Sequence, residues 1–147
     1  MVPQPKTVIA IIPISKTNGA TAASEASLID AKGWDYCEIT VIASTADVVS
    51  NTLSVLKIEE GDTTSSVATF TGCVQNTDYT IATNAYTSTT NQNVWAFNVD
   101  TRKRKRYLRV SASPQTTMVI AATARLSRGE QAPGTAAQAG ALNAVYV

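Results

Sequence analysis

The stretch 94–113, VWAFNVDTRKRKRYLRVSAS, decides the fold because two strand-like segments flank one charged turn. Residues 94–99 alternate between two faces, with two aromatic side chains and a valine on one face, which is the period of a β-strand. Residues 106–113 form a second β-prone segment, which ends at Pro114. This stretch predicts short strands joined by tight turns.

The same pattern recurs on both sides of this stretch. Residues 53–60, LSVLKIEE, alternate cleanly, and GDTTSS (61–66) after them is a hairpin-type turn. About eight such strands, spaced by about 8–12 residues, fit between residues 34 and 126, and a helical period is hard to find. That spacing is typical of an antiparallel β-sandwich or barrel. Further strands are predicted at 34–42, 67–74, 79–86 and 116–126, with turns at 30–33 and 75–78.

The chain divides into an arm, a body and a tail. Residues 1–26 contain the apolar run TVIAIIPI (7–14) and then small polar residues. They have too few large side chains to pack a core alone, so they are predicted to form an extended N-terminal arm. Residues 27–128 are the predicted sandwich domain, and residues 129–147 are a low-complexity C-terminal tail. No apolar run is long enough to span a membrane, and we expect no membrane partner.

Few of the residues that carry catalysis are present. The chain has no histidine, which removes the commonest general base and metal ligand. Cys37 and Cys73 are too few for a disulfide framework, and we expect two free, semi-buried thiols, although a single bridge stays open. Glu59 and Glu60 are adjacent in a strand and face opposite sides, so they do not converge. We therefore expect no enzyme, no cofactor, no metal site and no small-molecule substrate.

Positive charge is concentrated in the turn after residue 100. Six of the twelve Lys and Arg lie between residues 102 and 109, and the other six are set against eleven acids. The turn is a solvated or intramolecular charge cluster, a contact for an acidic protein surface, or a phosphate-binding site. Strand alternation would send the three arginines of residues 102–106 to one face and the two lysines to the other. Because only half would then face one ligand, we do not expect a nucleic-acid partner.

The aromatic residues within the strands have two interpretations. Trp34, Tyr36, Trp95, Phe97 and Tyr107 are either core residues or a platform for sugar rings. Aromatic side chains within strands are more often core, so we favour the first interpretation.

Three segments, in order, resemble a group of small tailed-bacteriophage and prophage proteins. They are WDYCEITVIAS (34–44), LKIEEGD (56–62) and FNVDTRKRKRYLRVSASPQTTMVIAATARLSR (97–128). The last is the most specific, since it matches the pattern F-N-(V/I)-D-x-R-x-(R/K)-R-Y-L-(R/K)-V before a final apolar strand. The resemblance covers roughly residues 33–128. Proteins of this group are similar to capsid decoration, or cement, proteins with a jelly-roll-like β-sandwich.

The resemblance implies a function. It implies an all-β, antiparallel, jelly-roll-like sandwich that binds the outer surface of the virion capsid and bridges its subunits without enzymatic activity. The implied partners are the major capsid protein and further copies of the chain in a homotrimer, assembled in the cytoplasm of the bacterial host. Two alternatives stay open: a head-fibre or tail-associated adaptor, and a carbohydrate-binding module for adhesion to the host.

The resemblance also suggests where contacts lie. An arm can add a strand to an adjacent sheet, although the arm can equally be a strand of its own domain. The basic turn is most simply a fold element, in which Asp100 pairs with a nearby arginine and Tyr107 and Leu108 begin the next strand, and some of its cations can still face a capsid surface. The candidate capsid or subunit interface residues are Val8, Ile9, Ile11, Ile12, Ile14, Arg102, Lys103, Arg104, Lys105 and Arg106.

Overall fold

The computed structural model describes residues 5–16, 27–43, 53–80, 94–114 and 117–129. These residues confirm the predicted all-β class, since they form two antiparallel four-stranded sheets. Sheet I has the strand order β1-β8-β3-β6, and sheet II has the order β2-β7-β4-β5. The strands are β1 (Lys6–Lys16), β2 (Ile29–Asp30), β3 (Trp34–Ala43), β4 (Leu53–Gly61), β5 (Ala68–Thr69), β6 (Val94–Asp100), β7 (Tyr107–Pro114) and β8 (Met118–Gly129), with a 3-10 turn at Thr101–Lys103.

The core lies between the two sheets and follows from strand alternation. In β3, every second residue is buried, and Ile39 and Val41 are wholly inaccessible to solvent. Burying one such aliphatic side chain contributes about 1.5–3 kcal/mol. The fully buried side chains come from both sheets, which makes the fold a β-sandwich. The largest are Ile11, Ile29, Ile39, Val41, Leu53, Leu56, Ile58, Leu108, Val110, Met118, Ile120 and Leu126.

The apolar part of the N-terminal arm is a strand of its own domain. β1 pairs antiparallel with β8, from Lys6 opposite Leu126 to Lys16 opposite Met118. Its register shifts twice, and Pro13 lies in the second irregular stretch, where a missing N–H is tolerated. Of the two uses that the sequence left open for this segment, the structure shows the own-sheet strand.

The predicted strand 67–74 is wrong beyond Thr69. Gly72 has a φ of +94°, which suits a turn, and the carboxylate of Asp78 accepts hydrogen bonds from the N–H groups of Gly72 and Val74 at 3.0 and 2.8 Å. The chain therefore turns where apolar alternation indicated a strand. The predicted turn at 75–78 is confirmed, and the predicted strand 79–86 lies outside the described residues after Thr80.

Side chains cover part of the edge of β4. Gln75 accepts a hydrogen bond from the N–H of Leu56 at 2.9 Å and donates one to the carbonyl of Ser54 at 3.0 Å. The hydroxyl of Tyr79 donates to the carbonyl of Leu56. These bonds occupy backbone groups that an edge strand otherwise presents to other chains.

Residues 94–113 cross from one sheet to the other. β6 is an edge strand of sheet I, whereas β7 is an inner strand of sheet II. The turn between them is held to the β2–β3 turn, because the N–H of Ala31 donates to the carbonyl of Arg106 at 2.9 Å and the hydroxyl of Thr101 donates to the carbonyl of Trp34. The basic residues thus lie at a corner that joins the sheets.

The last strand among the described residues lies close to the predicted end of the body. β8 ends at Gly129, one residue past the predicted end of the domain. Residues 1–4, 17–26 and 130–147, which hold the rest of the predicted arm and most of the predicted tail, lie outside the described residues.

Candidate binding surfaces at the two ends of the sandwich

The turn 101–106 is not a strand, so the predicted alternation of its cations is wrong. The carboxylate of Asp100 accepts a hydrogen bond from the N–H of Arg102 at 3.2 Å and caps the 3-10 turn, and the N–H of Arg104 donates to the carbonyl of Thr101 at 3.1 Å. The N–H of Lys105 donates to the carboxylate of Glu60 at 3.0 Å. Capping and turn formation by Asp100 override the strand pattern at this point.

Two arginines of the turn are held by bidentate ion pairs. Arg102 donates from Nε and Nη2 to Asp100 at 2.9 and 2.6 Å, and Arg106 donates from Nε and Nη2 to Asp30 at 3.0 and 2.7 Å. The hydrogen bond from Arg102 lowers the pKa of Asp100 to about 2, and that from Arg106 lowers the pKa of Asp30. The pairing of Asp100 with a nearby arginine is as expected, whereas that of Asp30 joins residues 76 positions apart.

The other cations of the turn are held less tightly. Arg104 stacks on Phe70, with the guanidinium carbon 4.6 Å from the ring centroid, and lies 3.8 Å from Glu60. Lys105 lies 3.1 Å from Asp62. Lys103 is exposed and has no ion pair among the described residues. Most of the basic run is therefore neutralised by acids of the same chain, which supports the intramolecular interpretation.

Arg109, the sixth cation between residues 102 and 109, lies on β7 and pairs with a buried carboxylate of β4. Glu59 is 5% exposed, and its oxygens lie 2.9 Å from Lys57, 2.8 Å from Arg109 and 2.7 Å from the hydroxyl of Ser111. Burial alone raises the pKa of Glu59, but hydrogen bonds from Lys57, Ser111 and Arg109 outweigh it, so the pKa is lowered overall. The cluster is a satisfied structural network on β4 and β7.

A cleft of about 540 Å³ opens beside the basic turn. Its wall carries five cationic side chains and one acid, because Lys32 on the β2–β3 turn joins four cations of the basic run. Lys32 is not among the residues predicted from the sequence, since nothing in its local pattern sets it apart. The charged residues of the wall are Lys32, Asp35, Arg102, Arg104, Lys105 and Arg106.

Among the described residues, the opposite end of the sandwich carries almost no charge. We call the end that holds the turn 101–106 the charged end, and the end where β6 begins and β3 stops the uncharged end. The described strand residues of the uncharged end have Lys16, the last residue of β1, as their one charged member. These residues are 9–16, 40–43, 53–56, 94–98, 110–114 and 118–124.

The outer face of sheet I exposes aliphatic side chains at the uncharged end. Val94 is opposite Ile42, which is opposite Ala121 on its other side, and Ile9 is opposite Thr123 in the next row. Large hydrophobic side chains are about half exposed here, and they dominate the exposed aliphatics of the described residues. They are Ile9 at 52%, Ile12 at 53%, Ile42 at 51%, Val94 at 45% and Val119 at 47%.

The candidate interface residues of β1 separate into two groups. Ile11 is wholly buried and Val8 packs against the core, so both serve the fold. Ile9 and Ile12 are exposed and belong to the outer surface. Ile14 pairs with Ile120. The sequence placed all five together because it could not show that β1 has one covered face and one exposed face.

The aromatic residues and the cysteines fit a structural role. Trp34, Trp95 and Phe97 are half-buried and pack against the core, which is the interpretation that the sequence favoured. Cys37 and Cys73 are both buried and free, as expected. Burial raises the pKa of Cys37 to about 12, so its thiol is protonated at neutral pH.

Among the described residues, no group of three or more Cys, Asp or Glu side chains is arranged to hold a metal ion, and no helix is long and apolar enough to cross a membrane. No protein-family model, no curated protein and no solved structure matches the chain.

Proposed function

We propose that this protein is a non-enzymatic capsid decoration protein of a tailed bacteriophage, which binds the outer shell of the virion as a homotrimer and bridges capsid subunits. The observation that carries the proposal is the separation of charged from aliphatic surface. The outer face of sheet I presents Ile9, Ile12, Ile42 and Val94 at the uncharged end, with no charged side chain between them in the pairing of the strands. Depletion of charge is the compositional mark of an interface core.

The size of this face suits a repeated weak contact. Four strands about 4.8 Å apart and two rows of outward residues cover on the order of 200–300 Å². A stable pairwise interface needs about 800 Å² on each partner. The face is therefore too small for tight binding by one copy. It suits a protein that is present in many copies on one shell, where avidity multiplies individually weak contacts.

The segments that resemble phage decoration proteins provide the framework behind this face. WDYCEITVIAS supplies β3, LKIEEGD supplies the second half of β4, and the longest segment supplies most of β6, the basic turn, β7 and β8. These are the inner strands of both sheets, the edge strand β6 and the corner that joins the sheets. The proposed trimer rests on that resemblance.

Binding to empty shells tests the proposal. The full chain is examined by light scattering and is then sedimented with phage capsids that lack it. We expect a trimer in solution, and saturable co-sedimentation with the shells. A monomer that stays in the supernatant at saturating concentration would contradict the proposal. A glycan array on the same sample distinguishes host adhesion, for which a specific glycan would be retained.

A further inference from the structure

The cleft at the charged end has the character of an anion site. Its wall holds Lys32, Arg102, Arg104, Lys105 and Arg106, and Asp35 is its one acid among the described residues. The acids that pair with these arginines and with Lys105 do not line the cleft. At the wall that an anion would meet, cationic side chains therefore outnumber acids five to one. Coulomb attraction falls with distance, and a net attraction follows.

Two arginines of the cleft are held in place and still have unused hydrogen-bond donors. Arg102 and Arg106 each use Nε and Nη2 for one carboxylate. The Nη1 group of each guanidinium has no hydrogen-bond partner among the described residues. An arginine that is already held by an acid loses little side-chain entropy when its remaining donors bind a second oxyanion.

The backbone around the cleft is also fixed. The Thr101 hydroxyl bonds to the carbonyl of Trp34, and the Ala31 N–H bonds to the carbonyl of Arg106, so both walls are joined to each other. Arg104 and Arg106 stack on Phe70 and Tyr107 at 4.6 and 4.8 Å. The three arginines are therefore held in place without a ligand, which is the preorganisation that a binding site requires.

The shape of the site selects a carboxylate over a nucleic acid. Single strands bind through exposed aromatic faces on which bases stack. Here Arg104 and Arg106 cover faces of Phe70 and Tyr107. Trp34 lies so close to Gly129 that a Cβ there would be 2.7 Å from the ring carbons. Guanidinium groups match the two oxygens of a carboxylate as they match those of a phosphate, and the covered rings remove the stacking that a nucleic acid would add.

We propose that this cleft binds the carboxylate side chains of an acidic peptide segment on a protein partner. The site lies at the end opposite the aliphatic face of sheet I and is separate from it. The chain then has two binding surfaces of different chemistry, one aliphatic and one for carboxylates. The carboxylate site is a property of the isolated chain and can be tested without a capsid.

A titration with hexaglutamate tests the site. The full chain, labelled with ¹⁵N, is titrated at low ionic strength, where charge attraction is least screened. We expect saturable shifts of the amides at residues 31–35 and 101–106, and none with hexaglutamine. The double substitution Lys32→Ala with Lys105→Ala should weaken binding about 10-fold, since it removes two of five cations.

Lys103→Ala is the matched control, because Lys103 is on the same turn but does not line the cleft. It should change the affinity for hexaglutamate less than about 2-fold. An equal loss in the control and the double variant would overturn the site in favour of unspecific attraction to a basic loop. Absence of shifts with hexaglutamate, or tighter binding of hexathymidylate than of hexaglutamate, would also overturn it. Unchanged thermal midpoints of both variants confirm that they are folded.

Discussion

The two ends of the sandwich differ in how their exposed side chains are satisfied. At the charged end, Arg102 and Arg106 are exposed but each is bound to an acid of the same chain. At the uncharged end, Ile42 and Val94 are opposite each other and remain about half exposed. A conspicuous run of charge thus proves to be a corner of the fold. The less conspicuous aliphatic rows have no such covering from the described residues.

The largest effect is expected within β3, where a side chain that faces the core can be compared with one that faces outward. Ile39 faces the core and is wholly buried, whereas Ile42 faces outward on the same strand. Ile39→Ala should lower the free energy of unfolding by about 2–5 kcal/mol, since it removes buried methyl groups and leaves a cavity. Ile42→Ala should change it by less than about 0.5 kcal/mol. Urea denaturation measures both, and similar losses would show that the outer face belongs to the core.

The next largest effect is expected at the buried carboxylate of sheet II. Glu59→Gln keeps the shape of the side chain but removes the charge that Lys57, Arg109 and Ser111 surround. We expect a loss of about 1–3 kcal/mol in the free energy of unfolding, because the partners stay partly desolvated. Glu38→Gln is the control, since Glu38 has no ion pair among the described residues. An unchanged stability of Glu59→Gln would contradict a structural role.

A smaller effect should appear as a dependence of stability on pH. The pKa values of Asp100, at about 2, and of Asp30 lie below their usual values because of their arginines, and that of Glu59 is lowered despite burial. Carboxylates with a lowered folded-state pKa stabilise the fold above their unfolded pKa near 4, and this contribution is lost as the pH falls towards 2. Denaturation midpoints should therefore decline between about pH 4.5 and pH 2.

The double variant with Asp30→Asn and Asp100→Asn tests whether these two carboxylates cause the dependence on pH. It lacks two of the three carboxylates, so its midpoints should decline less steeply over the same range. Parallel profiles for the variant and the wild-type chain would show that the ion pairs of the charged end contribute nothing to folding, as is common for exposed pairs.

The sequence predicted those features that depend on local pattern. Alternation in 53–60 and 94–99 identified β4 and β6, and the turn at 30–33 was found from its Asp and Gly. The strand 67–74 was overestimated because the capping of Gly72 and Val74 by Asp78 does not disturb alternation. Local patterns reveal periodicity but do not reveal which side chain will satisfy a backbone group.

The features that the sequence could not predict depend on distant residues. Apart from Asp100, the acids that pair with residues 102–106 are Asp30, Glu60 and Asp62, which lie more than 40 positions earlier in the chain. Likewise, Ile9 and Val94 share one outer face only because β8 and β3 lie between their strands.

One paired substitution tests the central claim most directly. Ile42→Asp places a charge in the middle of the aliphatic face, whereas Asn98→Asp places one on the outer face of β6 opposite Glu38, outside the two aliphatic rows. Both variants are sedimented with capsids that lack the protein. The proposed role of the face predicts that Ile42→Asp loses at least about 10-fold in shell binding while Asn98→Asp binds like the wild-type chain. Wild-type binding by Ile42→Asp would contradict it.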